Sequence, residues 1–170
     1  MVTDQNIVLT GFMGVGKSVV SKELSARLKR ERVSSDEWIE QKEGRSIKDI
    51  FRDKGENYFR ALEKKAIEEL SPRRNLIIDC GGGVVLRQEN VDRLKKNGII
   101  FCLTATPDVI YQRIKDQKDR PLLNVHDPRT KIAQLLKQRE PYYNQADHTL
   151  DTSHLIPPAT AEVILKLLTP

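Results

Sequence analysis

Cysteine, histidine and tryptophan are scarce in this chain of 170 residues, which holds two, three and one of them. Cys80 and Cys102 each lie beside or within an apolar run, so two reduced, buried thiols are expected rather than a disulfide framework or a metal site. His126, His148 and His154 follow no metal-ligand spacing, which leaves them as surface or locally hydrogen-bonded groups. No apolar run approaches the roughly 18 residues of a membrane span. The opening Met1-Val2-Thr3-Asp4-Gln5-Asn6 lacks a basic stretch followed by an apolar one. A soluble, cytoplasmic protein with no membrane partner is therefore expected. A long Lys/Arg block and aromatics interleaved with basic residues are also missing. The net charge of +5 comes from 29 Lys and Arg scattered among 24 Asp and Glu. That pattern does not point to nucleic acid, and a site for small anionic ligands accounts for the excess equally well. There is no internal repeat, low-complexity segment or linker. Residues 1–170 thus read as one domain, able to bury roughly 70% of the surface its unfolded form exposes.

What the chain does have is Gly11-Phe12-Met13-Gly14-Val15-Gly16-Lys17-Ser18, preceded by the apolar run Ile7-Val8-Leu9 and followed by an amphipathic segment. Strand, G-x-x-x-x-G-K-S and helix in that order form a phosphate-binding loop. Small residues bend the backbone so that amides from Gly14 to Val19 point at a polyphosphate, Lys17 reaches the β/γ oxygens, and Ser18 offers its hydroxyl to Mg²⁺. The plainer reading is a glycine turn with an exposed lysine.

Along the rest of the chain, strand-like apolar runs alternate with helical periodicity, which predicts a parallel sheet. Lys17 to about Arg30 carries Val20, Leu24 and Leu28 on one face. A second strand ends near Val33, and Asp36 follows it either as a helix N-cap or as a functional carboxylate at the strand's C-terminal edge. A short helix from Ser46 should end at Gly55. The helix Glu56 to Leu70 places Arg60 off its apolar stripe, where a solvated arginine is the plainer reading. The strand Leu76 to Asp79 leads into Gly81-Gly82-Gly83, which means either unusual dihedrals or a ligand close to the backbone. Gly98 should cap the crossover into the strand Ile99 to Leu103. Thr106-Pro107-Asp108 opens another helix. Lys115 to about Arg129 is too polar and too long for an ordinary connection, and reads as mobile surface or as a lid delivering Arg120. A helix carrying Arg139 should stop before Pro141. A strand from Thr149 to Asp151, a Pro157-Pro158 turn and a terminal helix to Leu168 close the chain.

These motifs, with Ser35-Asp36, Gly44-Arg45-Ser46-Ile47, Gly55-Glu56, Phe59-Arg60, Arg120-Pro121-Leu122-Leu123 and Arg139-Glu140-Pro141-Tyr142, follow the order and approximate spacing of the shikimate kinase family, which the chain resembles over nearly its whole length. The resemblance implies a three-layer α/β P-loop kinase fold, with a central five-stranded parallel sheet, helices on both faces and a mobile lid at about 115–129. It implies ATP-dependent phosphorylation of the shikimate 3-hydroxyl, with ATP and Mg²⁺ as cofactors, in a monomer whose partners are its two small-molecule substrates. By resemblance Asp36 contacts the shikimate hydroxyls, Arg60 and Arg139 hold the carboxylate, and amides at Gly82 and Gly83 meet the ring hydroxyls. Arg120 comes down on the phosphates, and Arg113 lies along the adenine. Gly14, Val15, Gly16, Lys17, Ser18 and Val19 bind the nucleotide; Lys17, Asp36 and Arg120 are the catalytic set.

Two positions depart from the family pattern. Ser34 stands where many members carry the first carboxylate of Asp-x-Asp, and Asp79 ends a strand where Ser or Thr is common. An exchange in which Asp79 supplies, through water, the negative charge near Mg²⁺ is the expectation, with Ser18 and Asp79 as the metal residues. The plainer alternative is that Asp79 hydrogen-bonds loop amides. A gluconate-type kinase on the same fold, and a non-catalytic nucleotide-binding regulator, are the competing functions. Retention of Lys17, Ser18, Asp36 and Arg120 together argues against the regulator.

Overall fold

The strand β1 (Asn6–Gly11) is buried along its whole length and forms the centre of the sheet in this computed structural model, which describes residues 4–117 and 125–169. Ile7, Val8 and Leu9 have no solvent exposure, and each contributes on the order of 1.5–3 kcal/mol by leaving water. Asn6 is buried too, and its amide clamps the chain before β3 by donating to Arg73 O at 2.7 Å and accepting from Leu76 N at 2.9 Å.

The sheet has five parallel strands in the order β2-β3-β1-β4-β5, where β2 is Arg32–Ser34, β3 Ile77–Asp79, β4 Gly98–Thr104 and β5 His148–Asp151. Helices cover both faces: α1 (Lys17–Leu28), α2 (Ser35–Glu43), α3 (Ile47–Leu70), α4 (Gln88–Asn97), α5 (Pro107–Ile114), α6 (Pro128–Tyr143) and α7 (Pro157–Leu168). The fold class expected from the alternation of elements is the one observed. The order of strands reverses at β1, and doubly wound sheets bind ligands beyond the strand ends at such a point. In register, Leu9 and Ser34 both lie opposite Asp79, so β1, β2 and β3 end side by side.

Several local expectations change. Gly55 breaks the helix as expected, with φ 78° and ψ 177°, yet helical residues continue on both sides of that kink from Ile47 to Leu70. Gly98 is extended, at φ −143°, and opens β4; the need there is space, because a Cβ would lie 2.9 Å from Val8 Cγ2. Pro157 and Pro158 occupy the first turn of α7, where their missing N–H groups cost nothing, rather than a separate turn. Most informative is α6, which runs through Pro141 to Tyr143. Proline disfavours this, but the Tyr143 ring is buried and its hydroxyl donates to Gly82 O at 2.9 Å, so tertiary anchoring holds the last turn in place.

The expected lid loses its end to a helix. Asp127 caps α6, accepting from Thr130 N, so Pro128 and Arg129 are helical, and Arg129 reaches Asp108 and the Tyr111 ring on α5. Arg120, with residues 118–124, lies outside the described residues. Cys80 and Cys102 are free and buried as expected, and burial pushes both thiols up, Cys102 to about 11. His148 stacks on Phe101 with ring centroids 5.0 Å apart, a packing role. His126 and His154 are exposed. Among the described residues, no group of three or more His, Cys, Asp or Glu is placed to hold a metal, and no helix is long and apolar enough to cross a membrane.

Candidate functional site

Gly16 sets the donor half. It is the N-cap of α1 in the left-handed region, with φ 102° and ψ 14°, a conformation that favours glycine. No side chain caps the helix and no acidic residue occupies its first turn, so its positive end is left open to an anion. The Lys17 side chain folds back, donating to Gly11 O at 2.8 Å and Phe12 O at 2.9 Å. Burial pushes its ammonium below the usual lysine range; Asp79 foremost, then Asp36, oppose that shift. A polyphosphate arriving at Gly14 to Val19 would relieve this desolvated cation.

Lys17, Ser18, Asp36, Asp79, Gly81 and Gly82 are among the residues lining one cleft of about 220 Å³ beyond the ends of β1, β2 and β3. Eight of the residues singled out from sequence, Gly14, Gly16, Lys17, Ser18, Val19, Asp36, Asp79 and Gly82, therefore meet at one place. Asp36 is not the helix cap. Ser34 is, accepting from Glu37 N at 3.3 Å, and Asp36 sits in the first turn of α2 with its carboxylate toward Gly81.

The triple glycine has a reason the sequence did not disclose. None of the three has a positive φ. What comes close is the protein itself: a Cβ on Gly81 would lie 2.5 Å from Asp36 Oδ1, and one on Gly83 would collide with the Arg60 guanidinium. At Gly82 a Cβ would meet ordinary contacts, Gly11 O at 3.5 Å and Arg139 Nη1 at 3.8 Å. The turn is thus shaped to let Asp36 and Arg60 lie against its backbone. Ser35, fully buried, fixes it by accepting from Gly81 N at 2.8 Å.

Arg60 is not a solvated arginine, since its side chain is 15% exposed. It pairs with Glu56 and, at 2.6 Å, with Glu63, while Arg139 is half-buried over the Phe12 ring. Glu63 was not singled out from the sequence. It sits among the apolar positions of α3 with about 1% exposure, and burial pushes its carboxyl up to about 7, against the pull of Arg60. The legible signal was its i+3 spacing from Arg60 on a face that also carries Leu62 and Ala66.

Arg113 closes the other end. Its Nη1 donates to Gly14 O, Val15 O and Thr152 Oγ1 at 3.2–3.3 Å, and Nη2 to Thr152 O at 2.7 Å. Thr152 Oγ1 in turn lies 2.8 Å from Val15 O and 3.0 Å from Thr104 O. A largely apolar pocket of about 140 Å³ borders this clamp, between Val15, Val19, Leu155 and Pro157. Thr152 is a second residue that sequence reasoning passed over. It lies directly after Asp151, the last residue of β5.

The oxygens available to a cation suit Mg²⁺. Ser18 presents an exposed hydroxyl in the same cleft as the Asp79 and Asp36 carboxylates, a sparse hard-donor set of the kind Mg²⁺ uses when phosphates and water complete its shell.

Residues 13–169 match the family model described as shikimate kinase. The chain is 46% identical over 162 residues to a shikimate kinase of Thermodesulfovibrio yellowstonii, covering 95% of this chain and 94% of that one. It is 44% identical to one of Thermoanaerobacter pseudethanolicus, covering 95% of each. The solved structure of shikimate kinase from Acinetobacter baumannii in complex with shikimate superposes with a TM-score of 0.93 at 38% identity, over 98% of this chain and 94% of that chain.

Proposed function

The chain belongs to the shikimate kinase family, and from that premise we propose a division of labour among its residues. The enzyme transfers the γ-phosphoryl of ATP to the 3-hydroxyl of shikimate, giving shikimate 3-phosphate and ADP on the way to chorismate and the aromatic amino acids. Phosphoryl transfer passes through a loose transition state, so positioning and charge stabilisation carry most of the catalysis.

On the donor side, amides of Gly14, Val15, Gly16, Lys17, Ser18 and Val19 cradle the phosphates, and Lys17 turns from the loop carbonyls to the β/γ oxygens. Arg113 spends its donors on backbone oxygens, which fixes its plane beside the apolar pocket as a face for the adenine. Ser18 directly and Asp79 through water would hold Mg²⁺, which would supply positive charge against the negative charge developing on the transferring phosphoryl. On the acceptor side Arg60 and Arg139 take the carboxylate as planar forks, and amides of Gly82 and Gly83 meet the ring hydroxyls. Asp36 orients the attacking hydroxyl and accepts its proton late. Arg120 supplies a further cation to the transferring phosphoryl.

The observation that carries this reading is the Gly81–Gly83 turn. Its missing side chains leave room for Asp36, which lines one cleft with Lys17, and for Arg60, which lies against Gly83 at the end of the same turn; this sets an acid-recognising half beside a phosphate-recognising half. The two free, buried thiols support a cytoplasmic enzyme. A coupled assay of ADP release tests the assignment. Release should depend on shikimate, and release with gluconate but not with shikimate would overturn it.

A further inference from the structure

Arg32, the first residue of β2, places its guanidinium among three other elements. Nε donates to Ser21 Oγ on α1 at 2.8 Å, Nη2 to Asp79 Oδ2 at the end of β3 at 2.8 Å, and Nη1 to both Glu37 oxygens on α2 at 3.0 and 3.1 Å. The Arg32 and Asp79 side chains are only 13% and 4% exposed. Ser21 Oγ also donates to Ser18 O at 2.9 Å, so the same network reaches the backbone of the phosphate loop.

The geometry separates two cations that compete for one carboxylate. Lys17 is near enough to Asp79 to feel its charge, yet its hydrogen bonds go to Gly11 O and Phe12 O. Arg32 is the cation that hydrogen-bonds Asp79, and it does so on Oδ2, the same oxygen that lies 3.4 Å from Ser21 Oγ. A planar fork tied at three points sets the plane of the carboxylate it grips, whereas a flexible ammonium does not. We propose that Arg32 is a positioning residue for the metal site: it fixes Asp79 through Oδ2 and so aims the rest of the carboxylate at the water shell of a nucleotide-bound Mg²⁺. The inference rests on the reading of Asp79 as a metal residue. It adds that the carboxylate placed on β3, opposite Ser34 in register, works because Arg32 on β2 comes with it.

Arg32→Gln, Arg32→Lys, Asp79→Asn and the double variant Arg32→Gln/Asp79→Asn test this with Mn²⁺ as the probe. Electron paramagnetic resonance would follow free Mn²⁺ titrated into the enzyme–ADP complex, alongside ADP affinity without metal and the metal-free thermal midpoint. Arg32→Gln should weaken Mn²⁺ binding about tenfold while metal-free ADP affinity holds. Arg32→Lys should fall between it and the parent, and the double variant should bind no worse than Asp79→Asn. Arg32→Lys carries the test should Arg32→Gln not fold, and parental Mn²⁺ affinity in it would then overturn the proposal. If Asp79→Asn weakens Mn²⁺ binding and Arg32→Gln lowers only the midpoint, Arg32 is structural and the proposal falls while the metal reading stands. If Asp79→Asn leaves Mn²⁺ binding unchanged, the metal reading fails and the proposal fails with it.

Discussion

Oε2 of Glu63 lies 2.6 Å from Nη1 of Arg60, one helical step earlier on α3, in a place that leaves the carboxylate almost no exposure to solvent. Arg60 therefore lies against Gly83 with part of its fork already engaged, and a buried acid beneath it sets its position. The pair also couples to Asp36, which pushes the Glu63 carboxyl up, and to Arg139, which pulls it down.

The titration of Glu63 should be visible in stability. Its carboxyl is held near 7 in the folded protein against an ordinary value of 4.5, chiefly by burial. Between those values the folded state retains a proton that the unfolded chain has released, so stability falls as pH rises from about 4.5 to 7 and levels off above. Urea midpoints at several pH values should show this slope diminished in Glu63→Gln. An identical slope in both proteins would mean that Glu63 is ionised throughout.

Gly83→Ala should act on shikimate rather than on ATP. The new methyl group collides with the Arg60 guanidinium, so Arg60 must move. Loss of one charge-assisted contact predicts a KM for shikimate raised about 10- to 100-fold, with the KM for ATP little changed. In an Arg60→Met background the same substitution should add little, because the group it displaces is gone.

Lys17→Met should separate activity from stability. The ammonium is desolvated in the free enzyme, so removing it relieves a burial cost while losing two bonds to loop carbonyls. Turnover should fall about 10²- to 10³-fold. The thermal midpoint should drop by no more than about 3 °C, the shift that 1 kcal/mol produces in a chain of this size. A larger drop would show the lysine to be a structural strut of the loop.

The donor half was the more legible in sequence because its chemistry is local. Gly16, Lys17 and Ser18 act through the backbone of eight consecutive residues, and a spacing can describe that. The acceptor half is assembled from α2, α3, α6 and the turn after β3, so Arg60 and Arg139 were recognised through family resemblance, and periodicity alone left Arg60 as a solvated residue. Glu63 and Thr152 escaped for the same reason: each works through a partner distant in space or hidden in an apolar face. Pro141 shows the limit of local rules from the other side, since helix α6 continues through it on the strength of one buried tyrosine. The strands and their parallel arrangement were readable because β1, β3 and β4 are continuous apolar runs, which a sheet covered on both faces requires.

The clamp between Thr152 and the loop carbonyl of Val15 spans 137 positions of the chain. A ribosome delivers the loop itself almost at once, with residues 11–18, but delivers the groups that brace its carbonyls only near the end, with Thr152 and α7. A nascent chain can therefore complete four strands of its sheet while the nucleotide cradle still lacks its far wall. ATP then finds a finished seat only on a finished enzyme, and a chain cut short before residue 152 keeps the phosphate loop but lacks the brace on its Val15 carbonyl.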